Sequence, residues 1–129
     1  MRAAYATVVA LARTAAHVTP PGEAKFLRAL RARRGVVERI EQQSRTQRDR
    51  SRPLVWLHAP SVGEGLQARP VAQAIRLAHP SWQIAYTYFS PSAESFAATV
   101  GADITEYLPF DSASDADAVL NALSPSVLV

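Results

Sequence analysis

The chain has 129 residues, enough for one domain, and its hydrophobic fraction of 48% is that of an ordinary globular protein, which excludes disorder throughout. It has no cysteine, so a disulfide framework and thiolate metal sites are excluded, and His17, His58 and His79 are too far apart to form a helical ligand pair; no metal site is expected. The formal net charge of +3 is unevenly spread: residues 25–52 carry +7, from Lys25 and nine arginines against Glu38, Glu41 and Asp49, while residues 53–129 carry −5.

Residues 3–12 form an apolar run between Arg2 and Arg13. Stretched to Val18 it reaches sixteen residues, short of the roughly 20 that a membrane span needs. Residues 1–18 therefore read as an interfacial or weakly inserted helix, a possible membrane anchor, that ends before Thr19-Pro20-Pro21-Gly22. A packed N-terminal helix is the alternative.

Residues 19–52 read as a basic amphipathic helix and a linker. Phe26, Leu30, Val37 and Ile40 recur on one helical face over residues 23–43, and Arg28, Arg31, Arg34 and Arg39 lie mostly off it. Gly35 sits where it could divide the helix in two. Residues 44–52 are polar and without period, as a linker would be. The concentrated positive charge points to an anionic partner, a phospholipid surface or a phosphorylated acceptor, or else to a solvated helix face. Interleaved aromatics and a reading motif are missing, so no nucleic acid is expected.

From residue 53 onward, strands and helices alternate. Residues 54–58 are the first strand. A Ser/Gly loop and a helix follow, with Val71, Ala74, Ile75 and Ala78 as its expected buried face and His79-Pro80 as its end. Pro70 lies in the first turn of this helix or kinks it. Residues 83–89 are a second strand, and Ser92 is the expected N-cap of a helix that ends near Gly101. Residues 104–108 are a third strand, Ser112 or Ser114 caps a helix running to Leu123, and residues 127–129 begin a fourth strand, expected to be buried. This alternation predicts an α/β fold, a Rossmann-like parallel sheet with flanking helices over residues 53–129. Because the sequence stops within that last strand, it is expected to be a fragment and this domain incomplete. In such sheets ligands sit at the carboxyl ends of the strands, which draws attention to residues 59–65, 90–93 and 109–112.

The first of these loops, Ala59-Pro60-Ser61-Val62-Gly63-Glu64-Gly65, opens a helix but has neither a GxGxxG nor a Gly-Lys-Ser/Thr fingerprint. In place of a phosphate it brings a carboxylate, Glu64, which a helix N-terminus stabilises in its ionised form. Such a group is suited to take a proton from a hydroxyl; equally, an acid in the first turn serves simply to cap a helix. Ser61 followed by Gly63 partly resembles a nucleophile elbow, but Ala59 replaces the first glycine and His79, at a helix end, is the only histidine that follows.

The order of motifs from this loop onward is similar to that of the Kdo (3-deoxy-D-manno-octulosonic acid) transferases. Trp56-Leu57-His58-Ala59-Pro60-Ser61-Val62-Gly63-Glu64, then Ala68-Arg69-Pro70-Val71, resembles that family's W-I-H-A-x-S-V-G-E…A-x-P-L. Tyr88-Phe89-Ser90-Pro91-Ser92-Ala93 resembles its T-x-T-P-T-G, Tyr107-Leu108-Pro109-Phe110-Asp111 its Y-L-P-x-D, and Ser124-Pro125-Ser126-Val127-Leu128-Val129 its P-x-x-V-I. The likeness covers about residues 25–129, including the basic stretch ahead of the first strand.

The resemblance implies the N-terminal, acceptor-binding half of a GT-B glycosyltransferase needing no metal or other cofactor. It implies Kdo transfer from CMP-Kdo, held by a C-terminal domain, to a lipid A precursor at the cytoplasmic face of the bacterial inner membrane. It assigns Glu64 as catalytic base, Ser61, Gly63, Ser90 and Ser92 to the acceptor site, and Lys25, Arg28, Arg31 and Arg34 to lipid A phosphates or anionic headgroups. A non-catalytic module binding lipid A or an anionic membrane is the competing expectation. Three departures stand out. Gly65 replaces an apolar residue, which would loosen the helix start. Ala93 replaces glycine or serine, which would hold its loop away from the acceptor. The family's E-T-E-L-W-P motif and donor domain do not occur in these residues, so the fragment alone is expected to be inactive.

Overall fold

The structure, a computed structural model, describes residues 25–129 together with Thr7, Val9, Ala10, Leu11 and Thr14. The apolar helix expected over residues 1–18 lies outside the described residues except at those five positions, which are helical. Among the described residues no helix is long and apolar enough to cross a membrane.

Four strands, β1 (Leu54–His58), β2 (Gln83–Tyr88), β3 (Ile104–Tyr107) and β4 (Val127–Leu128), form one sheet in the order β3-β2-β1-β4. Every pairing is parallel, with β1 and β2 in register from Leu54 opposite Gln83 to His58 opposite Thr87. Residues 54–57 and all of β2 are buried, as expected of strands covered on both faces. The helices are α1 (Lys25–Ala32), α2 (Val36–Gln47), α3 (Val62–Ala78), the single turn α4 (Glu94–Ala97) and α5 (Ala113–Leu123). Helices α2 and α5 pack on each other, whereas α3 lies against β1 and α4. The result is the expected Rossmann-like α/β arrangement. Strand order reverses between β1 and β4, so the switch-point crevice where such sheets bind ligands opens beside the loop that follows β1.

Gly35 takes up a left-handed backbone, φ 61° and ψ 23°, and divides the basic segment into α1 and α2. Helix α2 runs on to Gln47, and the turn after it is not a loose linker. Arg48 donates to the carbonyl oxygens of Leu123 (2.7 Å) and Ser124 (3.1 Å) and to Gln83 Oε1 (2.9 Å). A polar, aperiodic stretch hides such a role because its partners lie far away in sequence.

Arg39 ties α2 to its surroundings. It holds Glu106 of β3 through Nε (2.7 Å) and a second nitrogen (3.1 Å), and it also donates to the carbonyls of Ala32 and Arg34, closing the end of α1. Glu106 is buried, so removing the guanidinium leaves a carboxylate away from water. The Arg39 side chain is 42% exposed, which screens the pair. Arg39→Ala is expected to cost about 1–3 kcal/mol, read as a lower urea midpoint at unchanged slope.

Three expectations need correction. In α3 the buried positions are Gly65 and Ala72, with Ala68 and Ile75 partly covered, while Val71, Ala74 and Ala78 are exposed. This helix carries apolar residues nearly all round, Leu66 and Leu77 included, so periodicity did not fix its orientation. The segment after β2 is a 3₁₀ turn (Pro91–Ala93) followed by the short α4, with Ser90 at the N-cap position of the turn and Ala93, not Ser92, at that of α4, and Gly101 at φ 77° beyond it. Strand β4 is the sheet edge, and Val127 and Leu128 are 46% and 58% exposed rather than buried.

Candidate functional site

The carboxyl ends of β1 and β2 lie side by side, and the loops leaving them are joined. The Pro60 carbonyl accepts from the backbone of Phe89 (3.3 Å) and Ser90 (2.9 Å). Ser61 and Glu64 are thereby brought to the same rim as Ser90 and Ser92, whose hydroxyls lie 2.8 Å apart.

Ser61 has extended backbone (φ −135°, ψ 170°) and is the N-cap of α3. Its Oγ accepts from the Glu64 backbone N–H at 3.4 Å and donates to Glu64 Oε2 at 2.5 Å. This is a variant of the capping box, with the carboxylate taking the cap's own hydroxyl proton instead of reaching its backbone. Capping and chemistry are therefore not alternatives for Glu64: the cap leaves the carboxylate exposed and held in place. Among the described residues, Oε1 makes no hydrogen bond and no arginine pairs with Glu64. Gly63 is exposed, and a Cβ there would meet only Ser61 Oγ, at 3.9 Å, so a substrate can approach the backbone beside Glu64.

Gly65 does not loosen the helix start. A Cβ at this position would lie 2.5 Å from Phe96 Cε1 and 2.9 Å from Tyr86 Oη, so the missing side chain is what lets α3 settle onto these rings. Ala93, the last residue of the 3₁₀ turn, is likewise fully buried.

Two residues at the carboxyl ends of β1 and β2 escaped the reading of the sequence as site candidates. His58 ends β1, half-buried, with Nδ1 at 3.1 Å from Thr87 O and 3.0 Å from Thr87 Oγ1. Its place within the Trp56–Glu64 motif was the available signal. Arg33 is 4% exposed, donates to Ala29 O (2.9 Å) and Phe89 O (3.0 Å), and lies 3.6 Å over the Phe89 ring. Nothing in a block of nine arginines marked it out.

Burial lowers the His58 pKa below its ordinary 6.5, and the Arg33 charge acts the same way, against the Thr87 hydrogen bond and the Glu64 charge, which raise it. The unfolded chain is then the better proton binder, so the contribution is full above pH 6.5 and is lost as pH falls through the lowered folded value. The urea midpoint should be lower at about pH 5 than at about pH 7.5, with a narrower gap in His58→Asn. An equal gap in that variant would place the acid sensitivity elsewhere.

The basic block is largely spent inside the protein. Arg33, Arg39, Arg48, Arg50 and Arg52 all bond to its own carbonyls or carboxylates. Of the residues expected to meet phosphate, Arg28 is exposed on α1, while Arg31 and Arg34 are partly buried. The Lys25 side chain lies outside the described residues. One Arg31 guanidinium nitrogen is buried with no hydrogen-bond partner among the described residues.

No solved structure matches the chain. A family model described as 3-deoxy-D-manno-octulosonic-acid transferase (kdotransferase) matches residues 14–129. Sequence motifs, parallel sheet and family model agree: the chain belongs to the kdotransferase family and carries a glycosyltransferase domain.

Proposed function

We propose that this chain is the acceptor-binding half of a GT-B enzyme that moves Kdo from CMP-Kdo onto a lipid A precursor, with Glu64 as general base. The observation that carries this reading is the exposed Glu64 carboxylate, fixed by Ser61 at the carboxyl end of a parallel sheet and unpaired with any arginine among the described residues. Its ionised form takes the proton of a glucosamine hydroxyl as that oxygen attacks the donor sugar. Gly63, Ser90 and Ser92 line the approach, and Ser61 acts through Glu64 by orienting it. In this reading the donor falls to the second domain that the resemblance implies, and residues 25–129 carry the acceptor side.

The Arg31 nitrogen left without a hydrogen-bond partner among the described residues supports contact with a phosphate oxygen once that nitrogen is uncovered, since a guanidinium N–H away from water is stabilised by an anionic acceptor. Arg28 and Arg34, and Lys25 by its place in the sequence, are the further candidates for lipid A phosphates and the anionic inner leaflet of the bacterial membrane, each worth on the order of 1 kcal/mol near such a surface. The same nitrogen also suits a second reading, a module that only binds lipid A or an anionic membrane.

Calorimetric titration with a deacylated, bisphosphorylated glucosamine disaccharide tests the acceptor assignment. Binding should weaken with added salt and in Arg31→Gln, and it should persist in Glu64→Gln. No binding at low salt would remove the acceptor role.

A further inference from the structure

The imidazole of His58 has its two nitrogens in different surroundings. Nδ1 lies 3.1 Å from the Thr87 carbonyl oxygen, which can only accept, so a bare nitrogen there would set lone pair against lone pair. The neighbouring Thr87 hydroxyl, 3.0 Å from Nδ1, already receives the buried Trp56 indole N–H at 2.9 Å. The carbonyl therefore favours the proton on Nδ1, and the Thr87 hydroxyl, which has a second lone pair, can accept from it as well, so the hydrogen bonding at that nitrogen selects the tautomer. Nε2 is left as a bare acceptor, without a partner among the described residues, at the end of the strand whose following loop carries Glu64.

We propose that His58 is a second, substrate-positioning acceptor of the site: its Nε2 takes a hydrogen bond from an O–H or N–H of the acceptor sugar next to the hydroxyl that Glu64 deprotonates. The inference rests on the acceptor reading above and deepens it. A bare imidazole nitrogen beside a carboxylate suits a polyol presenting two neighbouring donors, and it disfavours a phosphate oxygen at that spot. Trp56 and Thr87 hold the ring in the required tautomer from behind the sheet's rim, so the hydroxyl reaching Glu64 is selected by orientation as well as by reach.

Two measurements decide it. Two-bond proton–nitrogen correlation spectra of the labelled chain near neutral pH should show the Nδ1–H tautomer; the Nε2–H tautomer would overturn the proposal without any substitution. Adding the bisphosphorylated disaccharide should then move the Nε2 resonance. His58→Asn keeps a donor toward Thr87 and removes Nε2, and it should weaken disaccharide binding about two- to tenfold. His58→Gln returns a polar atom near the Nε2 position and should recover part of that loss. Wild-type binding with His58→Asn unchanged would overturn the role of His58 and leave the acceptor site standing. Absence of binding in the wild type would remove both.

Discussion

Glu64→Gln should lower Kdo transfer by about 10²–10⁴-fold in the protein carrying both domains, the usual contribution of a positioned general base. The substitution suits the geometry because glutamine keeps an oxygen where Oε2 accepts the Ser61 hydroxyl, so the cap of α3 survives. What is lost is a negative charge near a helix N-terminus, about 0.3–1 kcal/mol of stability, too little to explain a rate loss of that size by unfolding. Acceptor binding should stay near the wild-type value, since in the role proposed for it the carboxylate acts on a proton rather than holding the sugar's phosphates. Ser61→Ala offers a contrast. It removes the cap and the group that holds Oε2, and it should cost about 1 kcal/mol of stability with a smaller rate loss. If Glu64→Gln turned over as fast as the wild type, the base would have to be another group and the binding-module reading would gain.

How much of this was legible beforehand follows from which signals are local. The parallel sheet was, because residues 54–58 and 83–88 are apolar runs bounded by turn residues, and the break at Gly35 was, because a glycine within a helical pattern has few other uses. The rim at the end of β1 as a candidate site follows from the topology rule, and its residues were named from the family resemblance. The division of labour among the arginines was not. Arg33, Arg39 and Arg48 look like their neighbours in sequence and differ only in meeting Phe89, Glu106 and Leu123, each more than fifty positions away. The orientation of α3 was likewise hidden, since Leu66, Val71 and Leu77 are as apolar as the face that packs inward. His58 needed its partner: only the pairing with Thr87 on β2 distinguishes its two nitrogens and makes one of them chemically interesting.

Gly65→Val should be the most damaging of these substitutions to the fold, at about 3 kcal/mol or more. Its Cβ alone would stand 2.5 Å and 2.9 Å from two Phe96 ring carbons and 2.9 Å from Tyr86 Oη, and valine adds two methyl groups beyond that. Phe96 is partly exposed and can swing aside, but Tyr86 is 0% exposed and cannot. For a domain of this size such a loss lowers the melting temperature by roughly 10 °C or more. Gly65→Ala should be milder, because the gain in helix propensity, about 1 kcal/mol, offsets part of the clash. The cause can be separated from a general intolerance of valine by a double-mutant cycle. Phe96→Ala opens the space that the valine needs, so Gly65→Val should cost less in that background than in the wild type. The buried Tyr86 hydroxyl has no hydrogen-bond partner among the described residues, so Tyr86→Phe should relieve the remaining contact at little cost of its own. Strict additivity of Gly65→Val with Phe96→Ala would show that the ring is not what the side chain meets. The first turn of α3 would then be free to shift, and with it the Ser61 hydroxyl and the carboxylate it holds.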